Sequence, residues 1–198
     1  PPLSRTLLVS GTDETVTVND TEYPLAAHQW SGDAINPRGH LHLDRFHLED
    51  GVPVWTYAVG EALLQKRVWM EHGANTTYVR YTLSRARSPV DLRVKALVNY
   101  RDHHATIQAD DWQMDLSSVN DGMRVQAFDG ATPLVLRSAD AEATPQHDWY
   151  RGFHLETEAY RGLDAEEDHL HAATFRAELA SGASVTLVFS TEPEAPLD

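Results

Sequence analysis

The strongest constraint on this chain is an alternation of period two that returns in segment after segment. Thr77, Val79, Tyr81 and Leu83 share one side of a run whose other side carries Tyr78, Arg80 and Thr82. Phe175, Ala177 and Leu179 alternate with Thr174, Arg176 and Glu178, and Val185, Leu187 and Phe189 repeat the device. Successive side chains of an extended strand point to opposite faces, so each run asks for one buried and one wet face. Turn signals separate the runs: Asn19-Asp20, Gly60-Glu61, Gly73-Ala74-Asn75, Asp121-Gly122, Asp129-Gly130 and Ser181-Gly182. Gly60-Glu61 reads as a hairpin joining Val52–Val59 to Ala62–Glu71, and Asp121-Gly122 as one joining Trp112–Val119 to Met123–Phe128. About a dozen short strands so punctuated predict an all-β chain, a large antiparallel sandwich of two sheets. One stretch breaks the pattern. Leu155, Ala159 and Leu163 fall at helical spacing, and Asp164-Ala165-Glu166-Glu167-Asp168 reads as the acidic start of a second short turn. A helical or loop excursion is therefore expected over 155–172.

The chain has 198 residues, enough for a single domain with a full core, expected over 1–190. Residues 191–198, with two prolines and three acids, are expected to form a linker. The net charge of −14 repels phosphate backbones, so a nucleic-acid partner is not expected. No apolar run reaches the roughly 18 residues a membrane helix needs, and no secretory leader pattern is present. The absence of cysteine excludes disulfides and thiolate chemistry and fits a reducing compartment. The opening Pro1-Pro2-Leu3 lacks an initiator methionine, so a fragment or processed product is expected.

The cleanest alternating run, Val90–Val98, opens into Asn99-Tyr100-Arg101-Asp102-His103-His104-Ala105. A polar cluster at a strand end is where a β scaffold presents a ligand site. Asp102, between Arg101 and His103, has neighbours that would fix its ionisation. His40 and His42, and His169 and His171, stand at i, i+2, the spacing of ligands on one strand face, whereas His103 and His104 are adjacent. None of these pairs has a third ligand at metal-site spacing, so no metal and no cofactor is expected. A glycoside hydrolase would need two carboxylates flanking the scissile bond. Asp13 with Glu14, Asp102, and the run Asp164, Glu166, Glu167, Asp168 are the candidates, and clustered acids are most simply read as solvated surface. Trp149-Tyr150-Arg151 combines rings that could stack on the C–H face of a sugar with an arginine for its hydroxyls. Asn36-Pro37-Arg38-Gly39-His40 is a further polar turn, presenting Arg38. No nucleophile elbow, P-loop or dinucleotide fingerprint occurs.

Several of these nodes occur together and in order in a known family. Asp13-Glu14-Thr15-Val16, Asn36-Pro37-Arg38-Gly39, Val54-Trp55-Thr56-Tyr57, Gln65-Lys66-Arg67-Val68-Trp69-Met70, Asn75-Thr76-Thr77 and Leu97-Val98-Asn99-Tyr100-Arg101-Asp102 are followed by Trp149-Tyr150-Arg151 and by Arg161-Gly162-Leu163-Asp164 with Glu167-Asp168. With these stretches the chain resembles the N-terminal domain of bacterial and archaeal type glycogen debranching enzymes, the amylo-α-1,6-glucosidase group. His169-Leu170-His171-Ala172-Ala173 departs from that pattern. The resemblance implies a supersandwich of the galactose-mutarotase-like kind, preceding an (α/α) barrel that carries the catalytic acid and base. It implies a cytoplasmic, non-catalytic module that supports the barrel and helps bind branched α-glucan. The residues to touch sugar or the barrel would be Arg38, Arg101, Asp102, His103, Trp149, Tyr150 and Arg151, with no catalytic residue in this chain. A stand-alone glycan-binding module is the second reading. An aldose mutarotase-like enzyme using His103 with Glu167 or Asp168 is the third. Without its barrel the module would bare an apolar patch and self-associate.

Overall fold

The computed structural model describes residues 5–32 and 34–197, and among them the alternating runs do become strands. In chain order these are β1 (Thr6–Val18), β2 (Thr21–Pro24), β3 (Ala27–Gln29) and β4 (Ile35–Arg38). After a 3-10 turn at Gly39–His42 come β5 (Leu43–Glu49), β6 (Val52–Val59), β7 (Ala62–Met70) and β8 (Thr76–Arg85). The rest are β9 (Val90–Asp102), β10 (Asp115–Val119), β11 (Gly122–Gln126), β12 (Leu134–Arg137), β13 (Glu142–His154), β14 (Glu166–Leu179) and β15 (Ser184–Ser190), with one helix, α1 (Glu156–Tyr160). All these strand pairs are antiparallel, in a five-stranded sheet of order β13-β14-β9-β1-β2, an eight-stranded sheet of order β10-β11-β12-β15-β8-β7-β6-β5 and a small two-stranded sheet of β3 and β4. The first two sheets meet on one core. Val16, Val94, Val98, Leu170 and Phe175 from the smaller sheet share it with Leu64, Val79, Tyr81, Leu83, Leu187 and Phe189 from the larger. Each fully buried side chain of this size stabilises the fold by ~1.5–3 kcal/mol.

Both expected hairpins form, β6 to β7 across Gly60-Glu61 and β10 to β11, the latter across Asn120-Asp121, one residue earlier than Asp121-Gly122, because Gly122 already pairs with Val119. Gly60 and Asp121 have positive φ, the backbone twist that tight hairpins require. The excursion expected over 155–172 is shorter than its sequence signal. Only 156–160 are helical, and residues 166–172 are already strand β14. The acids Glu167 and Asp168 therefore do not open a second turn; they are buried at the start of β14, an interior strand of the smaller sheet. Nor do His40 and His42 lie on a strand face, because Gly39–His42 is a 3-10 turn. Gly39 is packed so closely on Leu25 and Ala26 that a Cβ there would collide with backbone, which holds the turn tight against the end of β2. The strand beginning at Val90 also runs on past Val98 to Asp102, held by pairing with Leu7 and Thr6 of β1. Residues 191–197, where the sequence expects a linker, lie on the outer face of the larger sheet. There Ala195 is buried beside Tyr78 and Val188, and Arg137 donates to its carbonyl.

One polar network crosses the core. Glu14 Oε1, on β1, accepts from Lys66 Nζ of β7 at 2.6 Å, from Tyr81 Oη of β8 at 2.6 Å and from Thr12 Oγ1 at 2.6 Å. The carboxylate is nearly fully buried, so its charge depends on Lys66 for compensation. Burial, then the neighbouring Glu14 charge, pushes the Tyr57 phenol up to about 12. The same two causes push Tyr81 well above its ordinary value. Both phenols remain neutral at any physiological pH, and Tyr81 keeps its proton to donate to Glu14. Lys66→Met should cost ~3–5 kcal/mol in denaturant unfolding, because it strands a buried carboxylate. Combining it with Glu14→Gln should recover more than half of that loss, and an equal loss in the double variant would contradict a charge-compensating role.

Candidate functional site

The polar stretch singled out at the end of β9 stands where four elements converge: β9, the start of β14, the end of β13, and β3. Its centre is an ion pair between Arg101 and Glu167, two-pronged, with Nε on Oε1 and Nη2 on Oε2 at 2.9 Å. Glu167 is 1% exposed. Asn99 Nδ2 donates to Glu167 Oε1 at 3.2 Å and to the Asp168 carbonyl at 2.9 Å, and Asn99 Oδ1 accepts from the Tyr100 amide. Asp168 faces the other way. Its Oδ2 accepts from the Ala109 amide at 2.8 Å and its Oδ1 from the Gly152 amide at 2.9 Å, with Arg151 Nη1 3.6 Å from Oδ2. Its own amide donates to the Ile107 carbonyl. Two adjacent acids thus tie β9, β13 and the loop after β9 to one strand.

Around them lies an aromatic collar. Phe153 packs against Trp30 (ring centroids 4.5 Å apart), His169 (4.6 Å) and His28 (4.9 Å). His28 Nε2 meets Asp13 Oδ1 at 2.7 Å. Burial, then the Arg101 charge, pushes His169 down to about 4. Burial, then the Lys95 charge, does the same to His171. Both imidazoles are neutral at pH 7.

Outside this cluster a half-open groove of about 650 Å³ runs along this end of the sandwich. One wall is Arg101, His103, His104, Ala105 and Thr106. The other is His154, Leu155, Glu156, Thr157, Glu158, Leu163 and Asp164, and Gln29 lies between them. A smaller cleft of about 240 Å³, lined by Ser10, Thr12, Asp13, His28 and Phe153 among others, shares Gln29, His154 and Leu155 with it. The His103 and His104 rings lie 3.7 Å apart, and Asp102 Oδ1 fixes the His104 amide at 2.9 Å. Three carboxylates on one wall disfavour an anionic ligand. Neutral hydroxyls, which carboxylate, imidazole and amide groups can all hydrogen-bond, suit the lining better.

The residues expected from the sequence divide between this groove and its surroundings. Arg101 and His103 line it, and Asp102 stands beside it, half exposed, with His103 Nδ1 3.5 Å from its Oδ1. Trp149 is committed elsewhere. Its ring stacks on Trp112 at 5.8 Å and its Nε1 donates to the Trp112 carbonyl at 3.0 Å. Tyr150 Oη accepts from Lys95 Nζ at 2.6 Å. Arg151 is exposed and donates to the Asp110 carbonyl at 3.0 Å. Arg38 is exposed on the small β3–β4 sheet. Of the residues gathered here, His169 is singled out in the sequence, as half of an i, i+2 histidine pair, whereas Gln29, His154, His28, Trp30 and Phe153 are not. Their signal is weak, because they come from short strands and strand ends without clean alternation.

The sequence profile of the family described as "Glycogen debranching enzyme N terminal" matches residues 1–186. The chain belongs to that family. The match spans both sheets, from β1 into β15, so the whole sandwich, and not one motif within it, is what the debranching-enzyme N-terminal family shares with this chain. No curated protein matches it. Within this family member no group of three or more His, Cys, Asp or Glu side chains among the described residues could hold a metal ion. No helix among them is long and apolar enough to cross a membrane.

The two buried histidines make a pH dependence. Between about 4 and their ordinary 6.5 they are protonated in the unfolded chain and neutral in the folded one. Unfolding then takes up protons, so stability is full above pH 6.5 and falls as the pH drops toward 4. Denaturant titrations at pH 7, 5.5 and 4.5 should show this fall, and His171→Gln should reduce it. An unchanged slope in the variant would contradict the assignment.

Proposed function

We propose that this chain is a non-catalytic, cytoplasmic module of a glycogen debranching glucosidase, which supports a separate catalytic domain and takes α-glucan in the groove beside Arg101 and His103. The observation that carries this reading is how the two buried acids behind the groove, Glu167 and Asp168, are used. Glu167 is saturated by Arg101 and Asn99, and Asp168 by two backbone amides. A glycoside hydrolase needs one carboxyl free to give a proton and another free to face the sugar or a water. Acids whose oxygens are all engaged and out of solvent serve a framework instead. The mutarotase-like alternative, pairing His103 with Glu167 or Asp168, meets the same objection. The groove lining of imidazoles, carboxylates, Gln29 and Leu155 is consistent with a neutral polyol, and family membership supplies α-glucan as the class. In place of Trp149 and Tyr150, the surfaces offered to a sugar ring are His103, His104 and Leu155. The exposed side chains Tyr160 and Leu163, next to the groove, favour a neighbouring domain at this end.

Calorimetric titration with maltoheptaose and with a branched dextrin should show binding. His103→Ala with His104→Ala should weaken it about fivefold, or ~1 kcal/mol, at unchanged melting temperature. Polarimetry with α-glucose should give the buffer rate of mutarotation. No binding by the unaltered chain would remove the glycan half of the proposal, and mutarotation above buffer would remove the non-catalytic half.

A further inference from the structure

The edges of the two sheets are not alike. β10 offers Asp115, Ser117 and Ser118, β2 offers Thr21 and Glu22, and β13 carries Glu142, Gln146, Asp148 and Arg151. Polar and charged residues are the usual protection for a strand with free backbone groups. β5, the edge of the eight-stranded sheet next to β6, lacks it on one face. By register Phe46 lies across from Trp55 and Leu48 from Pro53, on the side of the sheet that faces the core further in. The smaller sheet ends at β2 and does not cover them. Phe46 is 52% and Leu48 62% exposed, and Leu41, at 69%, and Leu43 and Ile35 extend the apolar surface along the same chain segment. Phe46 touches Trp55, with ring centroids 5.3 Å apart, so the patch is continuous with the edge of the core.

The opposite face of β5 is charged and follows an order that complements itself. Arg45, His47 and Glu49 lie there, across from Thr56, Val54 and Val52 of β6. If a second β5 is laid antiparallel along the first with His47 facing its own copy, Phe46 falls opposite Leu48, and Arg45 falls opposite Glu49. The apolar face thus meets an apolar face and a cation meets an anion, twice, about one two-fold axis. Glu49 is already held by His47 Nε2 at 2.9 Å and by Arg67, which fixes its carboxylate in place to receive Arg45.

We propose that two copies of this chain pair through β5, antiparallel and centred on His47, to join their eight-stranded sheets into one continuous sheet. Backbone hydrogen bonds of the edge supply the attachment, Phe46 and Leu48 are removed from water, and the Arg45–Glu49 pairs set the register. The charge of −14 on each copy opposes approach, so the pairing belongs to ionic strengths where the Debye length is about 8 Å or less. This inference concerns a surface distinct from the groove and is independent of the glycan reading.

The absence of cysteine makes the register directly measurable. A single His47→Cys variant should form a disulfide-linked dimer under mild oxidation, since directly opposed Cα atoms of an antiparallel pair lie about 4.5–5.5 Å apart, within the span a disulfide bridges. Arg45→Cys should not, because its own copy would lie four residues, about 13 Å, away. An equimolar mixture of Arg45→Cys and Glu49→Cys should cross-link. Sedimentation equilibrium at 0.15 M salt should show a dimer for the unaltered chain and a monomer for Phe46→Lys with its circular dichroism unchanged. A monomeric unaltered chain would mean that something other than a second copy covers β5, and would overturn the proposal. So would a dimer that survives Phe46→Lys, or Arg45→Cys cross-linking as fast as His47→Cys.

Discussion

The two-pronged contact of Arg101 with Glu167 is the interaction on which the candidate site depends. It joins the last residues of β9, the central strand of the smaller sheet, to the first residues of its neighbour β14, where the carboxylate is buried from solvent. A buried carboxylate is tolerated only if its charge and its lone pairs are answered, and Arg101 with Asn99 answers them. Asp168 then fixes the loop after β9 and the backbone at Gly152. His103, His104 and His154 are carried on those segments, so the groove takes its shape from two acids that do not line it. Pairs of this kind add little net stability compared with a well-packed apolar substitute; their contribution is a single arrangement.

That use of the acids has a functional consequence. A chain rich in carboxylates, 30 Asp and Glu, offers many candidates for acid–base work, and the two buried behind the groove, Glu167 and Asp168, are consumed by the framework. Under the proposed reading the chemistry belongs to another domain, and this module presents a surface. Its polar groove, with three carboxylates and three imidazoles, suits a neutral polyol and repels an anion.

Most of the architecture was legible because alternation and turn chemistry are local. The hairpin at Gly60-Glu61 lies where its turn residues put it, and the β10–β11 hairpin turns at Asn120-Asp121, one residue before the expected Asp121-Gly122. The start of β14 was not legible, for a physical reason. Residues 167–175 are buried without a break, so the strand shows no wet face and no alternation, and its acids look like solvated surface. A register shift between His171 and Ala173 disturbs the period further. The site was legible as a location and not as a wiring. Arg101 stood out beside Asp102, yet its partner is Glu167 on another strand, and a pairing between distant residues leaves no mark in one sequence. Trp149 stood out as a sugar platform, and its ring lies against Trp112.

The central claim is that this end of the sandwich is a sugar-binding surface built on a rigid, non-reacting framework. Hydrogen–deuterium exchange of the chain with and without branched dextrin tests it most directly. The account predicts slow exchange at 99–102 and 167–171 in both states, with new protection on binding confined to 103–106 and 154–158. Protection elsewhere on the sandwich, or rapid exchange at 167–171 in the free chain, would contradict it.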